Sequence, residues 1–268
     1  MPHPEELERY TRAAVDAVAR AREHFVSELG AAPALRKGPG DFATDADLAI
    51  EAMLREDLEL ATGIGVYGEE RGGEFNPDAC WVLDPIDGTS NYSSGNPNSA
   101  ILVSLILDGE PVVAFTDIPL LNLHVHAVAG GPVVCNGEAL PPVGQESAAA
   151  AQVGIGSVGS DDRRRFPASQ RLALIGALAE TDLRPRISGS VGVDLAFVAL
   201  GIYQAAVSFS PYIWDNAAGV LLARCAGAVV TDTEGNPWTV NSTGAIVGTP
   251  EAHATALSTM LQVQQPRL

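Results

Sequence analysis

Leu7, Tyr10, Ala14, Val18, Ala21 and Phe25 recur at intervals of three and four, and Gly30 closes the run. That spacing places the apolar side chains on one stripe and predicts an amphipathic helix over 5–29. A loop containing Pro33, Pro39 and Gly40 leads to a second predicted helix. It starts near Thr44 and runs through Leu48, Ile50, Met53, Leu54, Leu58 and Leu60, with charges on the other face. Short β-like runs follow at 65–67 and 81–83. The segments 100–107 and 111–115 are rich in β-branched residues and are joined through Asp108-Gly109, a strong hairpin signal. Segments 123–128 and 133–135 extend the same sheet, with Gly130-Gly131 and Asn136-Gly137 as turns. The pattern reads as an antiparallel sheet beside two helices.

Pro141-Pro142 and the alanine run 148–151 mark a change of pattern. Beyond them strands near 153–155, 184–187, 205–207 and 228–230 alternate with helices near 169–179, 193–200, 215–226 and 250–264. The chain therefore divides into an α+β half, 1–145, and an α/β half, 146–268. With 268 residues, 46% of them hydrophobic, it can bury a substantial core. Sixteen basic residues face 33 acidic ones, a net charge of −17, which argues against nucleic-acid or anionic-membrane partners. No apolar run approaches the roughly 18 residues of a membrane span. No basic start followed by an apolar stretch suggests a secretory signal. Cys80, Cys135 and Cys225 stand far apart, which suggests neither disulfides nor zinc. A reduced, cytoplasmic compartment is expected.

Acidic residues carry the candidate chemistry. In Trp81-Val82-Leu83-Asp84-Pro85-Ile86-Asp87-Gly88-Thr89 an apolar strand delivers Asp84 at its end, and a sharp turn is expected to bring Asp87 back toward it. Gly88 lets backbone amides approach an anion closely. Two hard oxygen ligands beside such amides suit a magnesium ion bridged to a phosphate, against the plainer reading of a polar turn. Gly68-Glu69-Glu70 follows another short strand and places Glu69 at the same sheet end, unless it is a solvated loop paired with Arg71. Thr44 and Asp47 fit a capping pattern, which still leaves Asp47 or Asp41 free to point into a site. Asp215 opens a helix, as an N-cap or as a ligand steadied by the helix dipole. Gly154-Ile155-Gly156-Ser157-Val158-Gly159 matches a dinucleotide-binding pattern, and with it a nicotinamide-dependent oxidoreductase. We reject it, because the charged run 160–165 and Pro167 replace the expected apolar helix start. His124 and His126 alternate on one strand, read as exposed strand residues in the absence of a third soft ligand. Neither a nucleophile elbow nor a Cys/His pairing suggests covalent catalysis.

Together Asp47, Glu69, Asp84, Asp87 and Asp215 would repel one another unless cations stood among them. Four segments, Asp41-x-x-Thr44-x-x-Asp47, Gly68-Glu69-Glu70, Trp81-x-x-Asp84-Pro85-Ile86-Asp87-Gly88-Thr89-x-Asn91 and Trp214-Asp215-x-Ala217-x-Gly219, agree in order and spacing with one family. The sequence resembles the inositol monophosphatase family of magnesium-dependent, often lithium-sensitive phosphomonoesterases, most closely its actinobacterial members. The resemblance implies a layered αβαβα sandwich, spanning α+β and α/β character, and a homodimer. It implies that Glu69, Asp84, Asp87, Asp215 and the Ile86 carbonyl hold two or three Mg2+ ions. It further implies that Thr89, with Asp47 as its hydrogen-bond partner, and Glu69 position and activate the attacking water. The Gly88 and Thr89 amides would hold the phosphate, with Asp87, Gly189, Ser190, Val191 and Asp215 lining the substrate pocket. One departure concerns the alcohol: Ser208 stands where inositol-binding members usually carry an acid, and Gln204 where an Asp is common. The expected reaction is hydrolysis of a small phosphate monoester, with inositol 1-phosphate the first candidate. Histidinol phosphate, fructose 1,6-bisphosphate and adenosine 3′,5′-bisphosphate are alternatives, Arg186 being the one nearby cation for a second phosphate. A non-catalytic metal-binding module would lack Thr89, Asp47 or a ligand, and all are present.

Overall fold

Ser104 is the only polar residue in Ala100–Leu107, because both faces of that strand are covered. Ile101, Val103 and Leu105 pack with the N-terminal helices, while Ala100 and Leu102 pack against helices of the C-terminal half. A computed structural model describes residues 3–38, 41–144, 151–158 and 165–264. In chain order it contains α1 (Pro4–Ser27), β1 (Pro33–Gly38), β2 (Asp41–Thr44), α2 (Asp45–Thr62), β3 (Val66–Gly68), β4 (Ala79–Asp87), α3 (Thr89–Ser94), β5 (Ala100–Leu107), β6 (Glu110–Ile118), β7 (Leu123–Val128), β8 (Val133–Cys135) and β9 (Glu138–Ala139). There follow β10 (Gln152–Ile155), α4 (Ala168–Ala179), β11 (Arg184–Arg186), α5 (Val191–Ala199), β12 (Ala205–Ser208), α6 (Ile213–Cys225), β13 (Val229–Thr231), β14 (Ala245–Gly248) and α7 (Pro250–Gln264).

The elements stack in five layers. α1 and α2 cover one face of a seven-stranded sheet, ordered β3-β4-β5-β6-β7-β8-β9, in which only β3 and β4 run parallel. α5 and α6 cover its other face and also pack on a five-stranded sheet, ordered β11-β10-β12-β14-β13. α4 and α7 close the far side. The expected αβαβα sandwich is the observed architecture. Among the described residues no helix is long and apolar enough to cross a membrane. Cys80, Cys135 and Cys225 are unpaired.

Three elements depart from expectation. The segment read as a loop after α1 is a hairpin, in which Leu35 faces Ala43 and Arg36 faces Phe42; Pro39 and Gly40 lie outside the described residues, as does most of the alanine run 148–151. β14 was not expected: its four residues are buried on both faces, so no alternation marks them. α3 is one short polar helix, fixed mainly by Tyr92, whose hydroxyl donates to the Phe25 carbonyl at 2.7 Å.

The middle helix layer is thin because it is built from small residues such as Ala196, Ala199, Ala217, Ala218 and Ala223. Gly219 of α6 is its tightest point: a Cβ there would lie 2.4 Å from Leu195 Cβ on α5. Leu195 Cβ sits next to its own backbone, so relief requires moving a helix. Gly219→Ala is expected to lower stability by about 1–3 kcal/mol, read from denaturant unfolding. An unchanged midpoint would show that the layer yields freely.

Candidate active site

β4 builds the centre of the site with a bulge. Asp84 pairs with Leu102 and Asp87 with Ala100, so three steps on β4 oppose two on β5. Residues an odd number apart on a regular strand face opposite ways, and one extra residue restores Asp84 and Asp87 to a common side. Pro85 fits there because the bulged stretch asks for no ladder donor from it. The sharp turn expected straight after Asp84 is therefore absent; the strand continues to Asp87, and the turn comes at Gly88, with φ of 81°. Asp84 Oδ1 accepts the Ile86 N–H at 3.0 Å, which steadies the bulge.

The C-terminal half meets these carboxylates with helix N-termini. Asp87 accepts hydrogen bonds from the Ser190 hydroxyl, from the Gly192 N–H at 2.6 Å and from the Val191 N–H at 3.3 Å. Gly192 is required for that approach, since a Cβ on it would stand 2.9 Å from Asp87 Oδ2 and 2.4 Å from Leu102 Cδ2. Gly189, at φ 86°, lets the preceding loop pass Asn91, whose amide donates to the Ser188 and Asn98 carbonyls. Asp215 is not an N-cap: Tyr212 holds that place, and Asp215 lies in the first turn of α6, its carboxylate hydrogen-bonded with Ser210 and Asp84. Trp214 beside it packs on Tyr67, 5.4 Å between rings, two residues before Glu69. Ligand oxygens of Asp84, Asp87 and Asp215 all lie within 4.8 Å of one another.

Crowding and burial oppose the charge on these groups. Burial, then Glu69, Asp87 and Asp215, raise the Asp84 carboxyl well above its usual range. Asp215 is pushed up to about 8, by burial and then by Asp87. Burial also raises Asp87, to about 6, although its bonds from Ser190, Gly192 and Val191 pull the other way. No basic side chain is ion-paired to any of the three among the described residues. Three hard oxygen donors, Asp84 and Asp87 buried and Asp215 half-buried, without a counter-charge fit a divalent cation.

Beside the trio, Thr44 and Asp47 form the expected capping box, with Asp47 Oδ2 receiving the Thr44 N–H at 2.8 Å and the Thr44 hydroxyl at 2.6 Å. Asp47 Oδ1 is left for Thr89, whose hydroxyl lies 3.3 Å away and 3.0 Å from the Ile86 carbonyl. Capping and site roles thus use different oxygens of one carboxylate.

Glu69 stands outside the group of three. Its carboxylate is 2.8 Å from Lys37 Nζ, which also meets Glu70 at 2.5 Å. Arg71, the partner expected from the sequence, turns away to the Leu48 carbonyl. The sequence reading missed both Lys37 and Glu51. Glu51, fully buried on α2, accepts the Glu70 N–H at 2.7 Å and the Arg71 N–H at 3.0 Å and is paired with Arg55. It packs over Gly68, where a Cβ would come within 2.5 Å of its carboxyl carbon. A glutamate three to four residues from Asp47 and Arg55 on one helix face was the available signal.

Several other expectations resolve simply. Gly154 makes room for the Asp194 carboxylate, 2.7 Å from a hypothetical Cβ, and Gly156 for the Phe209 ring at 3.2 Å, so packing accounts for these two glycines. Gly159 and 160–164 lie outside the described residues. His124 is bonded to Asp117 and His126 stacks on Phe115; both are half-buried rather than exposed. The Ser208 hydroxyl is buried and accepts the Ser210 N–H at 3.2 Å. Gln204, at the other end of β12, joins strands by accepting the Gln152 N–H at 2.7 Å. Arg186 is exposed and bonds its own strand's carbonyls.

Residues 6–265 match the sequence model of the Inositol monophosphatase family. The chain belongs to this family. As a member of the inositol monophosphatase family it is a phosphoric monoester hydrolase. It is 43% identical over 264 residues to the inositol-1-monophosphatase ImpA of Mycolicibacterium smegmatis, covering 98% of this chain and 96% of that one. It is 47% identical over 234 residues to the probable inositol 1-monophosphatase ImpA of Mycobacterium tuberculosis, covering 87% of each. Among solved structures, the extragenic suppressor protein SuhB of Bartonella henselae superposes with a TM-score of 0.84 at 25% identity, covering 94% of this chain and 98% of that chain. The Thermotoga maritima IMPase superposes at 0.82 with 24% identity, covering 91% and 94%, and shares the family fold.

The raised carboxyls set a pH dependence for the metal-free protein. A group whose folded value lies above its unfolded one stabilises the fold at low pH and loses that contribution as pH rises through the folded value. For Asp215 the window runs from 3.8 to about 8. In chelator the thermal midpoint is expected to fall between pH 6 and 8, a drop that saturating magnesium abolishes; a flat profile in chelator would contradict the crowding.

Proposed function

We propose that this phosphatase acts on inositol 1-phosphate or a closely similar small monoester, with magnesium held by Glu69, Asp84, Asp87, Asp215 and the Ile86 carbonyl. The observation that carries the reading is the trio Asp84, Asp87 and Asp215, without a basic partner and with two of the three buried, beside the Thr89–Asp47 pair. The names of the two mycobacterial relatives support the substrate class. Magnesium bound there supplies charge neutralisation for the phosphoryl group and lowers the pKa of water.

The chain's own residues supply placement and proton handling. With its hydroxyl turned from the Ile86 carbonyl to Asp47 Oδ1, Thr89 would take a proton from the attacking water on its oxygen as its own proton passes to the Asp47 carboxylate. Asp47 Oδ2 is already occupied by Thr44, so its acceptor capacity toward Thr89 is fixed in direction. Gly88, in the left-handed conformation, and Thr89 open α3 and present their amides to a phosphate. Gly189 and Ser190 pack against Gly88, with Ser190 Cβ 3.2 Å and the Gly189 carbonyl 3.3 Å from where a Gly88 Cβ would stand, and with Val191 they complete the proposed substrate lining. Two or three ions per site, lithium sensitivity, a homodimer and a cytoplasmic location belong to the same reading, on the strength of the family likeness.

Phosphate release from a panel of monoesters, with magnesium, with chelator and with lithium, tests the proposal. Inositol 1-phosphate should be the best substrate and chelator should stop turnover. Asp84→Asn should abolish turnover and weaken magnesium binding; normal rates at low magnesium would refute its assignment. Thr89→Ala should slow turnover by about 10²–10⁴-fold with magnesium affinity nearly intact. A large loss of metal affinity would show that Thr89 is a ligand instead.

A further inference from the structure

Lys37 is the only lysine in the chain, the other fifteen of its sixteen basic residues being arginines. That single ammonium is delivered by β1 to the two glutamates after β3, 2.8 Å from Glu69 and 2.5 Å from Glu70. Glu69 is the one carboxylate of the proposed ligand set that stands outside the group formed by Asp84, Asp87 and Asp215. The backbone of its turn is fixed from another direction, by Glu51 accepting the Glu70 and Arg71 amides and by Arg55 donating to the Gly72 carbonyl. With that backbone fixed, it is the Glu69 side chain that is left to move, and the contact that holds it away from the aspartates is the ion pair with Lys37.

Residue type matters at this position. A guanidinium grips carboxylates through a rigid, two-pronged fork, whereas an ammonium is a compact charge on a flexible stem that can leave one partner and keep another. Here the second partner is Glu70, whose side chain is 0% exposed while that of Glu69 is 23% exposed. The buried glutamate anchors Lys37; the more accessible one can be given up.

We infer that Lys37 is a displaceable counter-ion that holds Glu69 in reserve, and that a divalent ion entering the site takes Glu69 from it. Lys37 is thus a positioning residue, acting on the metal through Glu69. The β1–β2 hairpin, which carries Lys37, is coupled by that exchange to metal loading. The inference rests on the metal reading above and deepens it.

Calorimetric magnesium titration of the chelator-treated full chain tests it without reference to turnover. Lys37→Met removes the competitor and the repulsion, and should bind magnesium about three- to tenfold more tightly than wild type. Because that variant leaves Glu70 buried without a cation, a second measurement uses the unaltered protein. Its one ε-amine is separated from the α-amino terminus by peptide mapping after treatment with an amine-acylating reagent, and labelling of Lys37 should be at least about threefold faster in saturating magnesium than in chelator. Unchanged or weaker magnesium binding in folded Lys37→Met overturns the inference, as does labelling that magnesium leaves unchanged or slows. A wild-type protein that takes up no magnesium at all overturns the metal reading beneath it as well.

Discussion

Three carboxylates crowded together, two of them buried and the third half-buried, are costly to assemble, and the irregularities of this molecule gather around that cost. The bulge of β4 turns two of them to one side. The first amides of α5 are spent on Asp87, and Gly192 exists so that they can reach it. Asp47, Thr89, Asp87 and Asp215 are met by the opening turns of α2, α3, α5 and α6. Helix N-termini carry partial positive charge, so their nearness offsets part of the repulsion before any ion arrives. The chain's overall net charge of −17 offers no help from the general field.

The elements that could be read from the sequence are those whose local chemistry and tertiary surroundings agree. Asp108-Gly109 marks a hairpin because both residues take positive φ, 50° and 77°, and the flanking runs then pair as β5 and β6. α1 is legible because one of its faces is wet. β14 and the far side of β5 are covered on both faces, and a strand without a polar face carries no period. β1 and β2 fail for the opposite reason, since Leu35, Arg36 and Lys37 are so little buried that no apolar repeat forms. In the site, Asp84, Asp87 and Asp215 were legible as a spaced motif. Glu51 was not, because its work is done on backbone amides 19 and 20 residues away, and a lone glutamate on a helix resembles a solvated one.

Glycines show the same divide between pattern and cause. Gly154 and Gly156 sit in a spacing that elsewhere cradles a pyrophosphate, yet here each yields space to a neighbouring side chain, Asp194 or Phe209. Gly88 instead makes the turn after β4 possible, through a left-handed conformation that no spacing rule reveals. Distinguishing the two kinds requires knowing what approaches, which is a property of the packed layers and not of the segment.

The shared position of α5 and α6 between two sheets has a further consequence, for biosynthesis. A growing chain that has emerged as far as β9 already holds Asp47, Glu69, Asp84 and Asp87, but neither the amides that receive Asp87 nor the helix that carries Asp215. Until the last strands close over that layer, the nascent protein carries concentrated negative charge on an uncovered sheet face. The docking of the second sheet is therefore the step at which this cluster acquires its partners, and a divalent ion would ease it.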